Sequence, residues 1–199
     1  LVVRGDAGHV YVALVDGHLA FHYSLPLSEQ RTAAGQEVKQ EPRVHLQATL
    51  LLDLGEGVMR GLLLHDYQVR LAEVDGFEFL IPEGVEVFDC TAPGLESWKI
   101  LLRDGKKVLH VAMGAPVTGN LRVATTFEGA YDSKKGEVNV PRFAPLSIER
   151  EWGFAAFSAE GAELKLGISG SLLHADVTEI HADARSFGGN LLDAYKYTG

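Results

Sequence analysis

Histidine is the residue of this chain best suited to chemistry, and there are eight of them. Two histidines of one strand grip a single metal ion best at i and i+2, where their side chains share a face. No pair in the sequence has that spacing. His18 and His22 share a strand face, but at i and i+4 they stand roughly 13 Å apart in an extended chain. The least implausible ligand sets are His65-Asp66 and His174-Ala175-Asp176 with His181 and Asp183 nearby, and a loop carrying His174, Asp176, His181 and Asp183 could bring them around a divalent ion. The competing reading, polar residues of a loop after the last clear strand, outweighs it. No metal and no cofactor are expected.

The nucleophile candidates fare no better. Gly167-Ile168-Ser169-Gly170-Ser171 sets a serine among glycines, but Ser169 is followed directly by Gly170, so the Gly-x-Ser-x-Gly turn is not formed. Cys90 closes a strand and precedes Thr91-Ala92-Pro93; a lone cysteine there reads as a small buried hydrophobe rather than a thiolate. Glu149 and Glu151, at i and i+2, would share a face of an extended strand, and adjacent carboxylates can raise one another's pKa. Arg150 stands between them, so a solvated strand face is the default. Arg4-Gly5-Asp6 spells an adhesion tripeptide that arises often by chance. No Gly-x-Gly-x-x-Gly opens a helix, and no catalytic residue is expected. A face for carbohydrate remains: Trp98, Trp152 and Tyr67, with Tyr11 and Tyr23, could form a sugar-stacking platform, although aromatics of alternating strands more often fill a core.

The elements that would position these residues are strands. Short alternating segments are joined by Asp-Gly turns: Val10 to Val15 turns at Asp16-Gly17 into His18 to Leu27, and Trp98 to Arg103 turns at Asp104-Gly105 into Lys106 to Met113. Two-residue Asp-Gly loops supply the positive φ angles of hairpins. Val44 to Leu54, a Gly55-Glu56-Gly57 turn, and Val58 to Leu71 read as a long hairpin. Phe77 to Ile81 alternates cleanly until Pro82-Glu83-Gly84; Val85 to Cys90 and Leu121 to Phe127 are further strands. Gln30 to Pro42 and Glu128 to Gly136 read as polar loops, and Pro141 and Pro145 bracket an edge-like segment. Glu151 to Ser158 turns at Glu160-Gly161 into Ala162 to Ile168. Leu172 to Ile180 reads as strand or loop, and Leu191 to Tyr197 as a short helix or a strand. About a dozen strands at this spacing predict an all-β chain, an antiparallel two-sheet β-sandwich. The expected organisation is one large domain over 1–199, with residues 1–75 and 76–199 as its two halves if it divides.

Composition bounds the function. The chain has 199 residues, 46% hydrophobic and 23% charged, ample for a core. Its net charge of −9 and scattered basic residues give no counterion-displacing patch, so nucleic acid is not an expected partner. Lys106-Lys107 and Lys134-Lys135 sit beside turn glycines and read as hairpin tips. One cysteine excludes an internal disulfide and a multi-cysteine zinc site. No apolar run of about 18 residues exists to span a membrane. There is no leading signal segment, and Leu1 is no initiator methionine, so the chain reads as a piece of a longer polypeptide.

The stretches Phe77-Glu78-Phe79-Leu80-Ile81-Pro82-Glu83-Gly84-Val85-Glu86-Val87, Ser97-Trp98-Lys99-Ile100 and Glu149-Arg150-Glu151-Trp152-Gly153-Phe154-Ala155-Ala156-Phe157, with the closing Ala194-Tyr195-Lys196-Tyr197, carry a resemblance. Over about residues 60 to 199, this order of strands and turns resembles the β-rich modules of large envelope proteins of planctomycete-like bacteria. The resemblance implies a non-catalytic structural or interaction module in the periplasm or at the cell surface, partnered by neighbouring modules or by itself. The alternative is a carbohydrate-binding module or a carbohydrate-active enzyme.

Overall fold

The computed structural model describes residues 2–5, 8–15, 18–24, 40–132, 138–159, 172–185, 187 and 190–198, the first three segments as backbone alone. The chain divides into two units, residues 1–40 and 41–199. In the first, β1 (Val2–Gly5), β2 (Gly8–Val15) and β3 (His18–Ser24) form an antiparallel sheet in that order. Val15 pairs with His18, the register that an Asp-Gly hairpin imposes. The Asp16-Gly17 turn itself, the loop expected over 30–39 and the side chains of Tyr11, His18, His22 and Tyr23 lie outside the described residues, as do Ser169 and Lys134-Lys135.

The second unit contains β4 (Arg43–Leu54), β5 (Val58–Leu80), β6 (Val85–Thr91), β7 (Leu95–Arg103), β8 (Lys106–Ala130), β9 (Ala144–Pro145), β10 (Arg150–Ala159), β11 (Leu173–Ala175) and β12 (Asp193–Thr198), with a one-turn helix α1 (Ala182–Arg185). Hydrogen bonding links them into one open sheet in the order β11-β12-β10-β4-β5-β8-β6, with β7 also on β8 and β9 also on β5. The fold is all-β, as the alternation requires. The antiparallel two-sheet arrangement is not what the hydrogen bonds draw: β10 runs parallel to β4 from Arg150 beside His45 to Ala159 beside Leu54. The expected hairpin partner of β10, residues 162–168, lies outside the described residues. Over Trp152 to Phe157 both edges of β10 are already taken, by β4 and by β12.

Two long strands replace four short ones, because β5 and β8 continue through residues 72–76 and 114–120, which lay between the expected strands. There the ladder slips twice, between Val69 and Val74 and again between Val74 and Gly76. Leu71 adopts φ 71°, a left-handed conformation uncommon outside glycine. Opposed bulges of this kind bend a ribbon sharply. The strand doubles back on itself: the Tyr67 ring stacks on Phe77 at 3.9 Å, and His65 meets Phe79 edge-on at 4.7 Å. Ten residues of straight strand would hold Tyr67 and Phe77 roughly 33 Å apart. One sheet therefore supplies two facing layers. The first uses β5 up to Val69 and β8 from Gly119; the second uses β5 from Gly76 and β8 up to Ala112, flanked by β7 and β9. The place where two halves of the sequence were expected to meet, between residues 75 and 76, falls inside β5.

Between the layers lies the main core. Leu46, Leu52, Tyr67, Phe79, Leu109, Val111, Val123 and Phe127 are fully or almost fully buried there. A smaller cluster covers part of the opposite face of the first layer, where Leu51, Leu64, Ala156 and Ala194 pack under Ile180 and Ala184. Alternation thus buries both faces of β4 over Ala48 to Leu52, which explains the leucine run there.

Gly153 marks a close approach of β10 to β4. A Cβ on it would sit 2.0 Å from the Ala48 carbonyl oxygen and 2.9 Å from its carbon. Neither atom can retreat without opening the parallel ladder. Gly153→Ala is expected to destabilise the second unit by about 3 kcal/mol, read as a lowered midpoint in urea unfolding. An unchanged midpoint would contradict the described packing of β10 on β4.

Candidate ligand-binding groove

On β10, alternation sends Arg150, Trp152 and Phe154 to the face opposite the main core. Farther along the same row, Ala156 is covered by the segment carrying α1. Where that cover stops, the uncovered part of the row becomes the floor of an open groove of about 470 Å³. Neighbouring strands complete it: His45 from β4, Lys196 from β12 and Leu173 from β11. The groove is apolar below, with Arg150 and Lys196 at its sides, and among the described residues no Asp or Glu lines it. His45 Nε2 lies 3.3 Å from Glu149 Oε2, and Lys196 Nζ lies 3.5 Å from Glu179 Oε2. The Arg150 guanidinium lies 5.8 Å from the centre of the Trp152 ring, a cation–π distance, and has no carboxylate partner among the described residues.

The three aromatics expected to share a platform are dispersed. Trp152 lines this groove, half-buried. Trp98, on β7, packs against the main core from the second layer, opposite Val111. Tyr67 is a core residue, 2% exposed and stacked on Phe77, so it cannot stack on a sugar. Burial holds its hydroxyl proton well above the usual phenol range, with Cys90 and Glu151 adding to the effect. Cys90 is itself buried, its pKa raised by desolvation, and Thr125 Oγ1 donates to its sulfur at 3.8 Å.

The two glutamates part company. Glu149 precedes β10, where the chain is bent rather than extended, and pairs with His45 and Arg43 at the surface. Glu151 turns inward, buried, and accepts from Tyr197 at 3.0 Å and Arg142 at 3.2 Å. Burial and then the Glu151 charge push the Tyr197 phenol up. In the second layer, Arg103 donates to Glu78 through both terminal nitrogens at 2.5 and 2.6 Å, and His110 Nδ1 lies 2.7 Å from the same carboxyl. The Arg103 fork holds the Glu78 carboxyl below its usual range.

The 174–183 loop is explained by caps. Asp176 accepts from the Thr178 backbone at 2.8 Å while Glu179 accepts from the Asp176 N–H at 3.1 Å, a capping box on a single 3-10 turn. His174 Nε2 lies 2.9 Å from Asp193 Oδ1. The side chain of Asp183 lies outside the described residues, and among those described no group of three His, Cys, Asp or Glu is placed to hold a metal.

Sequence reasoning singled out Trp152 but not its neighbours. The Arg150-x-Trp152-x-Phe154 spacing was a usable signal, since it puts all three on one strand face. His45 and Lys196 carried none, because only the pairings of β10 with β4 and β12 bring them in.

No family model matches the chain, and no curated protein matches it. Among solved structures it is similar to native leukotriene A4 hydrolase of Saccharomyces cerevisiae, at 13% identity and a TM-score of 0.47, over 88% of this chain and 31% of that one. It is also similar to an M1 zinc metallopeptidase of Deinococcus radiodurans, at 13% identity and a TM-score of 0.44, over 78% of this chain and 39% of that one. The chain thus spans less than two fifths of either, and likeness at this level assigns no activity.

One buried group carries a pH dependence. His65 is fully buried, its Nδ1 lies 3.3 Å from the Tyr67 hydroxyl, and among the described residues its Nε2 has no hydrogen-bond partner. Burial lowers its pKa from 6.5 to about 3. Between those values the unfolded chain holds a proton that the folded chain refuses, so stability falls as pH drops through that window, by up to about 1.4 kcal/mol per unit. Above pH 6.5 the histidine is neutral in both states and adds no pH dependence. His65→Leu is expected to flatten this acid limb, other acid-sensitive groups such as Glu78 being common to both proteins. Parallel limbs in melts from pH 7 to pH 4 would refute the assignment.

Proposed function

We propose that the chain is a non-catalytic interaction module of a bacterial cell-envelope polypeptide, and that β7 is its docking edge for a second copy. The observation that carries the docking is apolar exposure along a free strand edge: Ile100 is 43% and Leu102 75% exposed. Among the described strands, β7 pairs with β8 alone. No other described strand pairs with its outer backbone N–H and C=O groups, the arrangement that invites strand addition. Trp98, Ile100 and Leu102 share one face. A two-fold centred on Ile100 would set Trp98 against Leu102 in both directions and Lys99 against Leu101, with no like charges directly opposed between Ser97 and Arg103. The envelope placement rests on the resemblance of strand and turn order alone.

Sedimentation equilibrium checks the docking. The wild-type chain is expected to approach twice its monomer mass as concentration rises into the hundreds of micromolar, whereas Ile100→Lys with Leu102→Lys stays at one. A wild-type chain that remains strictly monomeric, or a dimer untouched by both lysines, would overturn the reading.

A further inference from the structure

We propose that the groove on β10 and β12 is a binding site for an acidic saccharide, a sugar ring bearing a carboxylate. The site lies on the face of the first layer turned away from the main core, and β7 belongs to the second layer, so the inference goes beyond the docking of copies.

Three properties of the groove select this ligand. Its charge runs against that of the chain: Arg150 and Lys196 line it, the latter also near Glu179, and no carboxylate is among the described lining residues, in a protein of net charge −9. A concave surface of one sign concentrates ligands of the other. Arg150 is the receptor, since among the described residues its guanidinium lies over Trp152 rather than against an acid, and a guanidinium fork matches a carboxylate with two parallel hydrogen bonds. The floor is apolar, with Trp152, Phe154 and Leu173 offering surface on which the C–H face of a pyranose can pack. The volume of about 470 Å³ falls within the range of small-ligand sites.

Two other occupants fit less well. An extended peptide held by strand addition needs a free strand edge, and over Trp152 to Phe154 both edges of β10 are paired. A long polyanion such as nucleic acid would meet the repulsion of the remaining chain. A single carboxylate carried on a compact, partly apolar ring meets neither obstacle.

The test uses trigalacturonic acid, with neutral galactotriose and acetate as controls, titrated into the full chain by calorimetry and by tryptophan fluorescence. The sequence has two tryptophans, Trp98 and Trp152. Trigalacturonate is expected to bind saturably and to quench fluorescence in the wild type and in Trp98→Phe, but not in Trp152→Phe. Galactotriose and acetate should each bind at least about tenfold more weakly. Arg150→Gln, an exposed change expected to leave the melting temperature in place, should weaken trigalacturonate by at least about tenfold. No saturable heat with trigalacturonate, equal affinity for the neutral trisaccharide, equal affinity for acetate, or an undiminished response in Arg150→Gln would each overturn the proposal.

Discussion

The stacking of Tyr67 on Phe77 holds the second unit together in its observed form. Both rings belong to one strand, so their contact exists only because β5 and β8 bend back together at the double register slip. Without that corner, the sheet would present its long apolar row to water. With it, Leu46, Phe79, Leu109 and Phe127 find partners across a shared interior. Burial of a large apolar side chain is worth about 1.5–3 kcal/mol, and each of these residues depends on the same bend. The local cost, a left-handed Leu71 and interrupted ladder bonds, is offset by that burial.

The interior is not uniformly apolar, and its polar members are the ones that fix position. Glu151 is tied to Arg142 and Tyr197, so β10, β12 and the segment before β9 share one hydrogen-bonded centre. A carboxyl group this buried is tolerated only when its oxygens are so partnered. Its partners hold β10 in register, and the register of β10 decides that Arg150 and Trp152 face the groove rather than the core. Glu78 does comparable work on the outer face of the second layer, where Arg103 joins β7 to β5 across β8. The groove and the free edge of β7 are therefore both held by charged clamps on rigid strands.

Much of the fold was legible because strand alternation and Asp-Gly turns are local signals. Trp98 to Arg103 and Lys106 to Met113 pair as the Asp104-Gly105 turn implies, and Val44 to Leu54 pairs with the strand that begins at Val58. What escaped was whatever depends on distant partners. Residues 72–76, which lay between two expected strands, sit in a bulged corner of one, because β8 supplies a matching slip that no local pattern encodes. The parallel pairing of β10 with β4 joins residues more than a hundred positions apart, so neither the mixed sheet nor the meeting of His45 with Arg150 could be read in advance. Tyr67 was misjudged for a related reason: an aromatic on an alternating strand looks the same whether its face meets solvent or another layer. The capping box at Asp176 and Glu179 was readable in principle, since its spacing is local, yet its residues resembled a ligand set.

The corner is tested most directly by a nuclear Overhauser measurement between the rings of Tyr67 and Phe77 in protein labelled selectively at tyrosine and phenylalanine. With ring centres 3.9 Å apart, a strong cross-peak between the two side chains is expected, and it should vanish when unfolding is complete. A native protein with intact strand signals and no such cross-peak would show that β5 runs on without folding back, and the two-layer account would fall.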